Sequence, residues 1–405
     1  MSIRTNYTHT LYASYLGFVT QAIVNNFAPL LFLTFQRELN IPLEQITLLV
    51  TINFLVQLVV DALSARFVDK LGYRFWAVTA HILAALGLAG LSILPRLFST
   101  PFIGLLISVV LYAIGGGLTE VLMSPIVEAC PTKQKEAAMS LLHSFYCWGH
   151  VFVVVVTTAF FLIFGVERWP MMALLWAVLP LLNAVYFSQV PIANLHEGHE
   201  GMKVRDLFRN KLFWVFALLM VCAGSSEQGM SQWASAFAES GLKVSKTIGD
   251  LAGPCLFAAL MGTSRVIFSK IGGHVPPTRV MAASAVLCVA GYLVASLVRV
   301  PALSLVGCAM VGFSVGAFWP GTFSLAAKSC PTGGTALFAM LALMGDLGCS
   351  VGPSTVGIVA EATGGELRAG LLVAIIFPIL LLGGLWIRKR LSSASSGKVT
   401  IANQS

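Results

Sequence analysis

Long stretches of this chain carry no lysine, arginine, aspartate or glutamate: residues 75–95, 97–119, 137–166, 169–195, 213–226, 280–298, 300–327 and 369–387. A soluble domain carries about 25% charged residues; here the share is 10%, 57% of positions are apolar, and the mean hydropathy is +0.85. Water cannot be the solvent for such runs. A hydrocarbon core of about 30 Å asks for roughly 20 apolar residues per helix. The runs are continuously apolar instead of alternating residue by residue, which selects helices over a membrane barrel. We read twelve spans, at 10–34, 44–66, 73–94, 102–127, 137–164, 169–190, 212–237, 249–270, 278–298, 302–327, 335–359 and 368–387.

Lysines and arginines set the orientation. With an internal N-terminus, the side of the termini takes Arg4, Arg66, Lys70, Arg74, Lys133, Lys135, Lys203, Arg205, Arg209, Lys211, Arg265, Lys270, Arg279, Lys328, Arg388, Lys389, Arg390 and Lys398. The other side takes only Arg37, Arg96, Arg168, Lys243, Lys246, Arg299 and Arg368. The positive-inside rule then predicts a multi-pass cell-membrane protein with both termini cytoplasmic. The net charge of +8 reads as topology; no basic stripe interleaved with aromatics suggests nucleic acid. The first apolar segment reads as a span and not as a cleaved leader. The scattered cysteines show no paired spacing, and Asn6-Tyr7-Thr8 reads as an accidental sequon on a cytoplasmic tail.

A shift of 200 residues aligns the chain with itself. Lys70 meets Lys270, Gly72 meets Gly272, Gly116 meets Gly316, and Cys130-Pro131-Thr132 meets Cys330-Pro331-Thr332. The expectation is an all-α membrane protein of two six-helix bundles in parallel repeat, with a solute path between them near the midplane. The bundles are placed at 1–192 and 212–390, with a cytoplasmic linker at 193–211 and a cytoplasmic tail at 391–405. His196 and His199 in the linker are read as solvated and not as metal ligands.

Ala65, Asp69, Lys70, Gly72 and Arg74, between spans two and three, resemble the signature loop of the major facilitator superfamily. That resemblance implies two bundles rocking about a central cavity. It also implies a loop acid that braces them: Asp69 against the start of span eleven near Gly333, Gly334 and Thr335, where backbone donors favour an anion, with Arg74 and Glu128 completing a charge relay. A narrower resemblance, to the fucose permease branch, rests on Asn25-Asn26, Phe35-Gln36, Gly117-Leu118-Thr119-Glu120, Ser124-Pro125, Leu142-His143-Ser144-Phe145, Gly149, and Glu227 with Trp233. It implies a proton-coupled sugar symporter with Glu120 as the proton carrier. The span-one aspartate of the sugar permeases falls at Pro29 here. The Gly348-x-x-x-Gly352-Pro353 stretch lies in span eleven, whereas antiporters of the superfamily carry it in span five; here it reads as tight helix packing.

Acids inside spans are the sharpest functional pointers, because each costs about 2.5–3.5 kcal/mol at the bilayer centre on insertion scales. Glu120, Glu227 and Asp346 are candidate proton-coupling groups, joined by His143 and His150 on one face of span five. Asp61, five residues from Arg66, reads as half of a structural ion pair. Candidate solute contacts are Gln21, Asn25, Asn26, Glu120, Tyr146, Glu227, Gln228 and Trp233, with Phe318 and Trp319 stacking on a solute or closing the path. Ser225 and Ser226, the repeat equivalents of Asn25 and Asn26, are expected to face the twofold axis with them.

The preferred reading is a carrier importing a small polar solute with protons, working as a monomer in the lipid bilayer, without cofactor or metal. Alternatives are a drug or metabolite exporter of the same fold and a transporter-like sensor. No phosphate-binding loop, nucleophile elbow or metal-ligand helix points to an enzyme.

Overall fold

The computed structural model describes residues 3–132, 135–193, 204–271, 275–330 and 334–402. The side chains of Arg66, Asp69 and Lys70, the linker residues His196 and His199, Gly333 and the side chain of Thr335 lie outside the described residues. Twelve helices are long and apolar enough to cross a membrane: α1 (Tyr7–Leu39), α2 (Leu43–Ser64), α3 (Tyr73–Arg96), α4 (Pro101–Ala129), α5 (Leu141–Phe164), α6 (Val166–Gln189), α7 (Lys211–Gly241), α8 (Lys246–Phe268), α9 (Pro277–Leu297), α10 (Pro301–Ser329), α11 (Leu337–Ala362) and α12 (Leu367–Leu391).

Helices form because only an intrasegment hydrogen-bond ladder satisfies the backbone in hydrocarbon. Their ends follow local chemistry. Prolines open α4, α9 and α10 at Pro101, Pro277 and Pro301, where the missing N–H costs nothing. The Asn6 side chain accepts from Thr8 N at 3.0 Å, and Asn210 does the same for Leu212 N at 2.9 Å. Asn6 is thus a helix cap. Gly72 and Gly165 sit at φ 82° and 85° between spans, a region that disfavours other residues.

In the first half, α3 packs along α4 and α6, α2 along α4, and α1 along α5; in the second, α9 packs along α10 and α12, α8 along α10, and α7 along α11. The halves meet along α2–α11 and α5–α8, two seams that exchange under the six-helix repeat. Several of the helices are interrupted. A 3₁₀ turn containing Pro29 breaks α1 at Ala28–Leu31, α7 breaks at 232–233, and α10 breaks at 316–317. Such breaks are tolerated at membrane depth where protein or a cavity, not lipid, surrounds them.

The α7–α11 contact is backbone on backbone. A Cβ on Gly348 would meet the Val221 carbonyl and one on Gly352 the Ser225 carbonyl, and Ser225 Oγ donates to Gly348 O at 3.0 Å. Ser225 therefore faces α11 inside its own half and not the twofold axis, a correction to the repeat-based expectation. Replacing Gly352 with Val should lower the unfolding temperature of the purified protein, since overpacking costs about 1–3 kcal/mol; an unchanged melting curve would contradict the contact.

Candidate functional site

Amide side chains from both halves join at the seam. Gln57 of α2 donates through Nε2 to Asn25 Oδ1 at 2.8 Å and to Asn53 Oδ1 at 3.1 Å. Gln21 of α1 donates to Gln57 Oε1 and to Glu120 Oε2, both at 2.9 Å. From the other half, Gln232 donates to the Asn25 carbonyl and to Gln228 Oε1, both at 3.0 Å, and Gln228 donates to Glu227 Oε1 at 3.3 Å. A line of polar contacts therefore links Glu120 in the first half with Glu227 in the second, crossing between them at the main-chain carbonyl of Asn25. Buried amides need such partners. Beside the line lies a small cavity of about 20 Å³ bordered by Asn25, Asn53, Gln232, Phe32 and Tyr112, room for about one water and closed to a solute in this conformation.

Carboxyl groups form a second cluster. Oxygens of Asp61 (α2), Glu120 (α4) and Asp346 (α11) lie within 4.8 Å of one another, and Asp61 and Asp346 share a hydrogen bond across the seam. At an effective dielectric of about 20, two bare charges at that spacing repel by roughly 3.5 kcal/mol. Three such groups stay together by sharing protons or a cation, and hard carboxylate oxygens suit either. The Asp61 carboxyl faces the other two acids; the side chain of Arg66, its expected partner, lies outside the described residues.

Glu227, 4% exposed, meets Arg265 of α8 with Nη2 to Oε2 at 3.5 Å. Arg265 had been counted among the cytoplasmic loop charges; it is an interior residue, 24% exposed at the side chain. Tyr146 of α5 lies near Asn25, Glu227 and Glu120. His150 is 2% exposed. His143 is exposed, its ring edge-on to Phe18 at 5.4 Å.

Other sequence candidates sit apart from the amide line. Asn26 donates to its own helix at Ala22 O, 2.9 Å away. Trp233 is fully buried, its Nε1 on Pro353 O at 2.9 Å and its ring 5.4 Å from Phe32, so it plugs the seam and offers no face to a solute. Phe318 is fully buried. Trp319 packs on Gly345, next to Asp346. Arg74 donates to Phe187 O and Ser188 O, both at 3.0 Å, closing the end of α6. Gly72 makes the turn before α3, and Glu128 is exposed near the end of α4.

On the face away from the termini the halves are clasped. Arg37 Nη1 meets Glu239 Oε1 at 2.6 Å, Lys246 Nζ donates to Leu30 O at 2.5 Å, and the Thr51 and Ser354 hydroxyls meet at 2.5 Å. Lys246 is itself anchored by Asp250 at 3.1 Å, a buried acid that also accepts from Ser235. Sequence reasoning missed Asn53, Gln57, Asp250 and Arg265. The available signal for the first two was a pair of amides four residues apart inside an apolar span.

The chain matches the family described as Major Facilitator Superfamily over residues 13–353. No curated protein matches it by sequence. Among solved structures it is similar to a variant of the nucleoside transporter NupG, at TM-score 0.75 and 16% identity, covering 94% of this chain and 99% of that one. It is also similar to a bacterial homologue of the human lysosomal transporter Spinster in an inward-facing and occupied conformation, at 0.75 and 14%, covering 95% and 97%. FucP in the outward conformation matches at 0.64 and 16%, covering 94% and 98%. These identities speak for the fold alone.

Gln57 is the hub of the amide line. Gln57→Leu leaves the Asn25 and Gln21 side chains short of partners and should cost about 1–3 kcal/mol, read as a lower unfolding temperature; a variant as stable as the parent would remove Gln57 from that role.

Proposed function

The chain belongs to the major facilitator superfamily and is a secondary transporter, not an enzyme; from that premise we propose that it moves a small polar solute, a sugar or related metabolite, by alternating access coupled to protons. The single observation that carries the reading is the Gln21 amide, which donates at once to the solute-side amide Gln57 and to Glu120. Hydrogen bonds to ionised groups are worth about 1.5–3 kcal/mol and those between neutral groups about 0.5–1.5 kcal/mol. Protonating Glu120 therefore loosens Gln21 and alters what the amides offer a solute. Binding and protonation are coupled through one side chain.

The seam supplies the conformational half of the cycle. Asp61 and Asp346 come from opposite bundles, so parting α2 from α11 separates the acids that share protons. Asp346, Glu227, His150 and His143 take or relay protons along the same path, and Asn25, Gln228 and Tyr146 contact the solute. Two bundles, 1–192 and 212–390, rock about this seam as a monomer, with Asp69, Lys70, Gly72, Arg74 and Glu128 controlling the cytoplasmic side. With termini cytoplasmic in the cell membrane, the Arg37–Glu239 clasp closes the external mouth. On this reading the chain would work as the fucose permeases it resembles in sequence motifs do.

In proteoliposomes, Glu120→Gln should keep solute exchange at equilibrium while losing accumulation driven by a proton gradient, by tenfold or more. Full gradient-driven accumulation by that variant would rule Glu120 out as the proton carrier.

A further inference from the structure

Arg265 is a basic side chain among the buried acids of the seam, separate from the Lys246–Asp250 pair at its outer end. It faces Glu227 at 3.5 Å, lies beside Tyr146, Cys147 and His143 of the other half, and rests one Nη on Met261 Sδ at 3.8 Å. The pair is close without being satisfied. Arg265 Nε and Glu227 Oε2 are both buried, and neither has a hydrogen-bond partner among the described residues. A tight bidentate ion pair would have used both atoms. Here the Arg265 Nε donor is unused, and Glu227 Oε2 is engaged only by the 3.5 Å contact from Arg265 Nη2, without a hydrogen bond.

Solute chemistry can be tested against those two atoms. A carboxylate or phosphate satisfies the guanidinium but meets Glu227, with Glu120, Asp61 and Asp346 nearby. An ammonium satisfies Glu227 but meets Arg265. A hydroxyl donates one hydrogen bond and accepts others, so it answers an N–H and a carboxylate oxygen together without bringing a charge. We infer that Arg265 and Glu227 form a subsite for a hydroxyl of a neutral polyhydroxylated solute, and that Arg265 sets selectivity against charged analogues.

The assignment rests on the reading of the chain as a polar-solute carrier, and its test separates the two. Binding to the full-length protein in lipid nanodiscs is measured calorimetrically for neutral hexoses, hexitols and nucleosides. Each is paired with a carboxylated or phosphorylated counterpart and with an amino counterpart. At least one neutral compound should bind tenfold or more tightly than its charged counterparts, a comparison that needs no variant. Arg265→Gln should weaken that binding about tenfold. Arg265→Lys, which keeps the charge and loses Nε, should weaken it as well while preserving rejection of the amino counterpart. Glu227→Gln should abolish the preference against the anion.

An anion bound as tightly as its neutral partner, or neutral binding unchanged in the Arg265 variants, overturns the subsite. If that anion is also carried into proteoliposomes, the transporter reading stands without it. If no compound of any class binds or is carried, both fail.

Discussion

Hydrocarbon offers no hydrogen bonds, and every arrangement in this molecule follows from that refusal. The backbone answers it by closing into helices. Polar side chains answer it by finding one another. Gln21, Gln57, Asn25, Gln232 and Gln228 are strung from Glu120 to Glu227 because each amide, placed among apolar helices, must use its donors and acceptors on neighbours. The line crosses from one six-helix half to the other, so the same requirement that pairs the amides also ties the halves together at the level where a solute would pass. Interhelical bonds of this kind average only about 0.6 kcal/mol each in membranes. Many weak links in series hold the seam without locking it.

The spans were legible because their signal is long and one-dimensional: an uncharged run of about 20 residues admits few other readings. The repeat was legible for a related reason, since Lys70 and Lys270 or the two Cys-Pro-Thr stretches mark equal positions along two copies. Side-chain direction was not. Asp61 sits five residues from Arg66 in sequence, and proximity along the chain suggests an ion pair; nothing along the chain tells that its carboxyl also reaches the acids of α4 and α11. Arg265 lies near the end of α8, where lysines and arginines normally mark a loop, and nothing local distinguishes it from those. Trp233 had the composition of a stacking platform, yet the break in α7 carries it into the packing against Phe32. Span position is set by hydropathy, whereas the direction a residue faces is set by partners hundreds of positions away.

The repeat is also broken where it matters. The seams α2–α11 and α5–α8 are equivalent by duplication, but their chemistry differs. One holds Asp61 and Asp346 in contact. The other brings Gly262 against Cys147 and Trp148, with Arg265 one turn further on. Duplication supplies two hinge surfaces of the same shape; the acids on one and the guanidinium on the other give the molecule a charged polarity that the backbone symmetry lacks.

The grip of Lys246 on Leu30 has a consequence of its own. Its partner is a main-chain carbonyl in the short turn where Pro29 interrupts α1. A carbonyl does not titrate, so this fastener holds with the same strength at any pH that leaves the lysine charged, unlike the carboxyl contact deeper in the seam. Nor can a substitution at Leu30 delete it. The deeper end of the seam thus answers to protons, while the acceptor of the Lys246 fastener answers to the course of the polypeptide itself and moves only when the bend is redrawn.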